Sequence, residues 1–106
     1  MAKITILLTF LLLIMTSCTA FAVRGVVVYF NYSKDLIVIE TNMGYTCGEI
    51  YGTSYFLDKG HTVAGDLHSF GFHDIYDATA DQTFRMYIDE YWESEDRVID
   101  WVGNHQ

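Results

Sequence analysis

From Arg24 to Tyr32 the chain alternates in steps of two: Val26, Val28 and Phe30 fall on one side, Val27, Tyr29 and Asn31 on the other. β-branched and aromatic residues dominate, which suits a pleated strand. A short polar turn, Ser33-Lys34-Asp35, leads to a second strand over Leu36–Thr41, apolar on both faces until Glu40. Asn42-Met43-Gly44 reads as the next turn, with Gly44 placed for a positive φ. A third strand then runs from Tyr45 to Tyr51. Three strands joined by short turns form an antiparallel meander.

Gly52–Gly60 is a longer connection, and its Tyr55, Phe56 and Leu57 suggest that it packs. Asp58-Lys59-Gly60 turns into a fourth strand over His61–Phe70, with Val63, Gly65, Leu67 and Ser69 on one face. A glycine inside a strand marks a bulge, a bend or a close backbone approach. Gly71–Gln82 fits either a short strand or one helical turn. Period two returns over Thr83–Tyr91, where Phe84, Met86 and Ile88 oppose Arg85, Tyr87 and Asp89. Ser94 then reads as a helix N-cap, with Glu95 and Asp96 favoured in the first turn. Val98, Trp101 and Val102 give the helix an apolar stripe, and Gly103 is the expected stop.

The stretch before Val23 has another character. Lys3 precedes an apolar run from Ile4 to Met15, and Ala20-Phe21-Ala22 matches a small-residue cleavage site. That is the layout of a secretory signal peptide over residues 1–22. The run is too short to cross a bilayer comfortably, which takes ~20 residues. Residues 23–106 are then one small domain. Within the leader, Met15-Thr16-Ser17-Cys18 resembles a bacterial lipobox, which implies lipidation at Cys18 as the alternative outcome. The expected location is secreted or periplasmic, or membrane-anchored if Cys18 carries lipid.

The chain holds six Lys and Arg against fourteen Asp and Glu, a formal charge of −8. Loss of Lys3 with the leader leaves five against fourteen, or −9. That field repels nucleic acid and anionic lipid and steers towards basic partners. Without the leader only Cys47 remains, so no internal disulfide can form. A chain of this size must stand on a modest core, which its aromatic residues enlarge.

Lys59-Gly60-x-x-Val63-x-Gly65-x-Leu67 is similar to the entry into the fourth strand of many OB-type barrels, and Arg24-Gly25-Val26-Val27 resembles an OB first strand. A small exported OB-fold family of Gram-negative bacteria has the same layout of signal peptide and lone barrel. The expectation is mainly β: a small OB-like, alternatively SH3-like, five-stranded antiparallel barrel with a short C-terminal helix from about residue 94.

Four groups of residues could carry chemistry. Asp66, His68, His73 and Asp74 are the densest metal-capable cluster, with Asp66 and His68 on one side of a strand. The plainer account makes them solvated positions between core residues. Cys47 is either a reactive thiol or a small buried hydrophobe. The acids Asp89, Glu90, Glu93, Glu95 and Asp96 read as a solvated helix start, because so small a barrel leaves little room for a catalytic cleft. Tyr29, Tyr32, Tyr45, Tyr51 and Tyr55 come from the first three strands and the following loop. The OB resemblance places ligands near there, so these rings are the ligand-binding candidates; otherwise they complete the barrel faces.

The expected function is therefore a non-catalytic binding module of the cell envelope. Its partner would be a protein or glycan, not nucleic acid, and it would need no cofactor. A basic secreted enzyme such as a lysozyme is one partner that charge complementarity suggests. The alternative is a metal-binding protein or metal-dependent enzyme using Asp66, His68, His73 and Asp74.

Overall fold

The structure is a computed structural model and describes residues 23–105. The leader, its cleavage site and Cys18 lie outside the described residues. Six strands form a closed barrel: β1 (Val23–Asn31), β2 (Leu36–Thr41), β3 (Gly44–Gly52), β4 (Thr62–Gly65), β5 (Gly71–Asp77) and β6 (Gln82–Glu93). One helix, α1 (Glu95–His105), follows. Around the barrel the order is β1-β2-β3-β6-β5-β4, and β4 closes back on β1. Every pairing is antiparallel. The barrel is thus two three-strand meanders joined edge to edge, with one strand more than the five expected. The added strand is β5, from the segment that had fitted strand or helical turn equally well.

Turn chemistry sets the registers. Asn31 Oδ1 accepts the backbone N–H groups of Ser33 (3.0 Å) and Lys34 (3.3 Å), folding the β1–β2 turn. Gly44 takes φ 129°, as its place after Asn42-Met43 requires. Gly48 lets β6 approach β3 closely: a Cβ there would sit 2.0 Å from the Tyr87 carbonyl oxygen.

Two expected strand patterns are corrected. In β1 the register shifts between Val27 and Tyr29, so Val28 is an extra residue and alternation breaks. Tyr29 pairs with Val38 and Phe30 with Ile37, so Phe30 does not share a face with Val26. β4 stops at Gly65 instead of running to Phe70. There the Leu67 N–H bonds the Gly65 carbonyl at 3.1 Å and Leu67 turns into the core, fully buried. Thr46 Oγ1 holds that bend by donating to the Leu67 carbonyl at 2.9 Å. Ser94 does cap α1, with its Oγ 3.4 Å from the Arg97 N–H, but the helix runs through Gly103 to His105.

There are two apolar clusters. The barrel interior holds Val27, Ile37, Ile39, Val63, Ile75, Phe84, Met86 and Ile88, among others, each almost fully buried. The second lies outside the barrel wall: Leu36, Val38 and Cys47 on β2 and β3 are covered by Val98 and Trp101 of α1. Burial of one such side chain stabilises by roughly 1.5–3 kcal/mol, enough for the helix to seat against the barrel although it is short.

Candidate functional site

The four metal candidates do not converge as a set; only His73 and Asp66 come together, with His73 Nδ1 3.9 Å from Asp66 Oδ2. Asp66 and His68 sit in the bend after β4, so strand alternation no longer aligns them. Asp66 Oδ2 accepts the Ser69 hydroxyl (3.0 Å), and Ser69 Oγ lies 2.9 Å from His73 Nε2. His68 turns to Thr41 Oγ1 (3.3 Å) and packs beside Tyr91 and Trp92. Asp74 faces out of β5 opposite Arg85. Among the described residues no group of three or more His, Cys, Asp or Glu side chains could hold a metal ion. Burial lowers the His68 pKa, with Asp66 partly opposing.

The five tyrosines part company as well. Tyr29 and Tyr45 pack at the edge of the helix-covered cluster. They line a shallow groove of about 380 Å³ with Val28, Val98, Ile99 and Glu95. Tyr32 stacks on Phe56 at the opposite end of the barrel and donates to the Leu57 carbonyl at 2.9 Å. Tyr55 points inward and donates to Asp77 at 2.9 Å. Tyr32 and Phe56 are both exposed, and Tyr51 joins two further exposed rings, Phe72 and Tyr87. α1 covers part of the outer face of β2 and β3.

Asp77 was not singled out by sequence reasoning, since one acid among fourteen has no distinguishing pattern. It is fully buried where β5 ends. Its carboxylate accepts from Tyr55 Oη (2.9 Å), His61 Nδ1 (2.7 Å), and the backbone N–H groups of Thr79 (3.0 Å) and Ala80 (3.2 Å). Burial raises its pKa, but the hydrogen bonds from His61, Tyr55 and Ala80 outweigh that and hold it below the usual carboxylate range. Burial, then the Asp77 carboxylate, pushes the Tyr55 hydroxyl up. This network ties the β3–β4 connection to the β5–β6 turn, a structural task.

Cys47 lies in the wall beneath α1, fully buried. Burial, reinforced by Glu90, Glu93 and Asp89, raises its pKa to about 12, so it is a thiol at neutral pH and a poor nucleophile. The acids near it are engaged. Asp89 accepts the Trp101 indole N–H at 2.8 Å and lies 3.4 Å from His105 Nε2, while Arg97 lies 3.5 Å from Glu93. A hydrogen bond with Glu93, then burial, raises the Glu90 pKa.

What remains is the outer face of β3, β6 and β5. Phe72 and Tyr87 are direct cross-strand partners, with ring centroids 5.0 Å apart. Tyr51 reaches Phe72 from β3 at 4.9 Å, and Arg85 stands over the Phe72 ring at 5.2 Å. Edge-to-face rings and a stacked guanidinium hold one another in place. The patch nevertheless stays open, with Tyr51 at 59%, Phe72 at 48% and Tyr87 at 38% exposure. Glu49 and Asp74 flank it in the register. Sequence patterning placed Tyr87 and Arg85 on the face away from Phe84, Met86 and Ile88; an aromatic ring on that polar face was the available signal.

No protein-family model, curated protein or solved structure matches this chain.

Proposed function

We propose that this chain is an exported, non-catalytic binding module that engages a basic partner protein through the outer face of β3, β6 and β5. The observation that carries the reading is the exposed Tyr51–Phe72–Tyr87 cluster with Arg85 stacked on it. Tyrosine and arginine are enriched among residues that dominate binding energy at protein interfaces. Rings already packed together lose little freedom when a partner covers them. Glu49 and Asp74 flank the cluster, and the chain as a whole is acidic, with fourteen acids against five Lys and Arg beyond Lys3, which steers a basic partner. Export rests on the signal-peptide layout of residues 1–22.

The test is a photo-crosslinking amino acid placed at Tyr51 in the native cell, with the same probe at Lys34 as control. A basic protein captured from position 51 alone supports the reading. With the partner in hand, Tyr51→Ala and Tyr87→Ala should each weaken binding by at least about tenfold, as interface anchors do. A glycan bound with the same dependence on Tyr51 and Tyr87, with no protein captured, would overturn the protein assignment.

A further inference from the structure

All six strands present one terminus at the barrel end where Val23 begins β1. There the β2–β3 turn, the bend after β4 and the last residues of β6 come together. That end is apolar in an unusual way. Met43 is 55%, Phe70 61% and Trp92 55% exposed. The rings form one connected set: His68 to Trp92 at 5.4 Å, Tyr91 to Trp92 at 5.5 Å and Phe70 to Tyr91 at 4.7 Å. The turn carrying Met43 lies against the Trp92 backbone, since a Cβ on Gly44 would stand 3.0 Å from it. Trp92 takes φ 58°, a region bulky residues rarely enter. Such outliers cluster where function demands them.

The alternative outcome at the leader, lipid on Cys18, points to what covers this end, and the inference rests on that outcome. Twenty-two residues precede Val23, and they carry the apolar run Ile4–Met15 and Cys18. Cys18 is five residues from Val23, so a lipid there would hold the rim no more than about 18 Å from the bilayer surface. A lipobox cysteine carries at least two acyl chains, which anchor stably and keep the rim at the membrane surface. Tryptophan and its aromatic neighbours favour the membrane–water interface.

We propose that the barrel end bearing Val23 rests on a lipid surface, with Met43, Phe70 and Trp92 entering the headgroup layer. The strand ends and bend at this end carry both signs of charge, Arg24 as well as Asp66 and Glu93, and the chain as a whole is acidic. The surface it fits is therefore zwitterionic, not anionic. In this pose the face of β3, β6 and β5 stands to the side, open to a partner.

The chain has two tryptophans, Trp92 exposed and Trp101 buried, so fluorescence reads the rim directly. The protein purified from its native cell is mixed with phosphatidylcholine vesicles carrying brominated acyl chains. Vesicle association alone could come from the leader or a lipid, so the readout is quenching of Trp92. The expected result is a blue shift with quenching, both absent in Trp92→Phe, and weaker when phosphatidylglycerol is added. Met43→Ser with Phe70→Ser should lower the fraction quenched at a fixed lipid concentration by at least about tenfold. Emission that ignores the vesicles would overturn the proposal. So would a blue shift that follows protein concentration without lipid, which would make the occupant a second copy of the chain.

Discussion

The barrel has two apolar outer faces, and only one is covered by its own chain. On β2 and β3, Leu36, Val38 and Cys47 are at most 1% exposed because α1 lies over them. On β3, β6 and β5, Tyr51, Phe72 and Tyr87 remain open although they too form a connected apolar set. A closed barrel needs only its interior filled to satisfy its strands, since closure removes the edges. Apolar residues on the outer face are therefore surplus to the barrel itself. The first face shows what such residues do when a cover exists: they become a second core. The other face is aromatic instead of aliphatic and has no cover within the described residues, which is the physical case for a partner. Strand β3 belongs to both faces, with Cys47 under the helix and Tyr51 in the open.

The largest way to break the contrast is to remove the cover. Trp101→Ala takes away the main buried ring of α1 and its bond to Asp89. The expected loss is about 3–5 kcal/mol, read from urea unfolding. Cys47 supplies a second readout. A buried thiol whose pKa is raised to about 12 should react with a disulfide reagent only when the helix lifts or the protein unfolds. The variant should therefore label at least about tenfold faster under native conditions. Equal labelling rates would mean that the helix is not what buries Cys47.

Asp77 provides a lesion remote from both faces. Asp77→Asn keeps the shape but removes the charge that accepts from His61 and Tyr55 and turns part of the acceptor into a donor. The expected cost is about 2–3 kcal/mol, below the upper range for buried pairs because His61 is partly exposed. The pH dependence has a fixed sign. The Asp77 pKa is lower in the folded state, so its contribution is fully present above the unfolded value of about 3.9 and fades as pH falls through the folded value. In the variant that part of the acid-unfolding profile should vanish. Partner affinity through Tyr51 should not change; a parallel loss would tie the open face to the network at the barrel end.

The contrast between the faces also explains what could be read from the sequence. β6 and the helix were legible because their alternation or stripe follows burial, as with Phe84, Met86 and Ile88 against Arg85 and Tyr87, while β2 and β3 were marked by apolar residues between short polar turns. β5 was opaque for a definite reason. Its inner positions are His73, Ile75 and Asp77, and its outer ones are Phe72, Asp74 and Tyr76, so polarity and burial run opposite ways at every position but Asp74 and Ile75. Hydrophobic periodicity misleads when a strand keeps a satisfied carboxylate inside and aromatic rings outside. The bulge at Val28 depends on contacts with distant strands, which local spacing does not encode, whereas the mid-strand Gly65 did mark the bend that ends β4. The five tyrosines shared a region of sequence, but outward and inward positions and the covering helix scattered them. Only Tyr51 reached the open cluster, and its partners Phe72 and Tyr87 come from the other meander.

The smallest expected effect on stability is the most decisive for the contrast. Tyr51→Ser removes a ring that is 59% exposed and touches Phe72 from outside the barrel wall. Exposed substitutions of this kind change stability by about 0.5 kcal/mol or less. The lost edge-to-face contact adds at most ~1 kcal/mol. Urea midpoints should then nearly coincide with those of the unaltered protein, whereas Trp101→Ala shifts them strongly. A small cost means that the open face contributes little to the folded chain, so its aromatic character has to be explained by what it meets. A loss comparable to Trp101→Ala would show that the Tyr51–Phe72–Tyr87 set is itself part of the core. The two faces would then differ in exposure and not in purpose, and the case for a partner at this face would fall with that result.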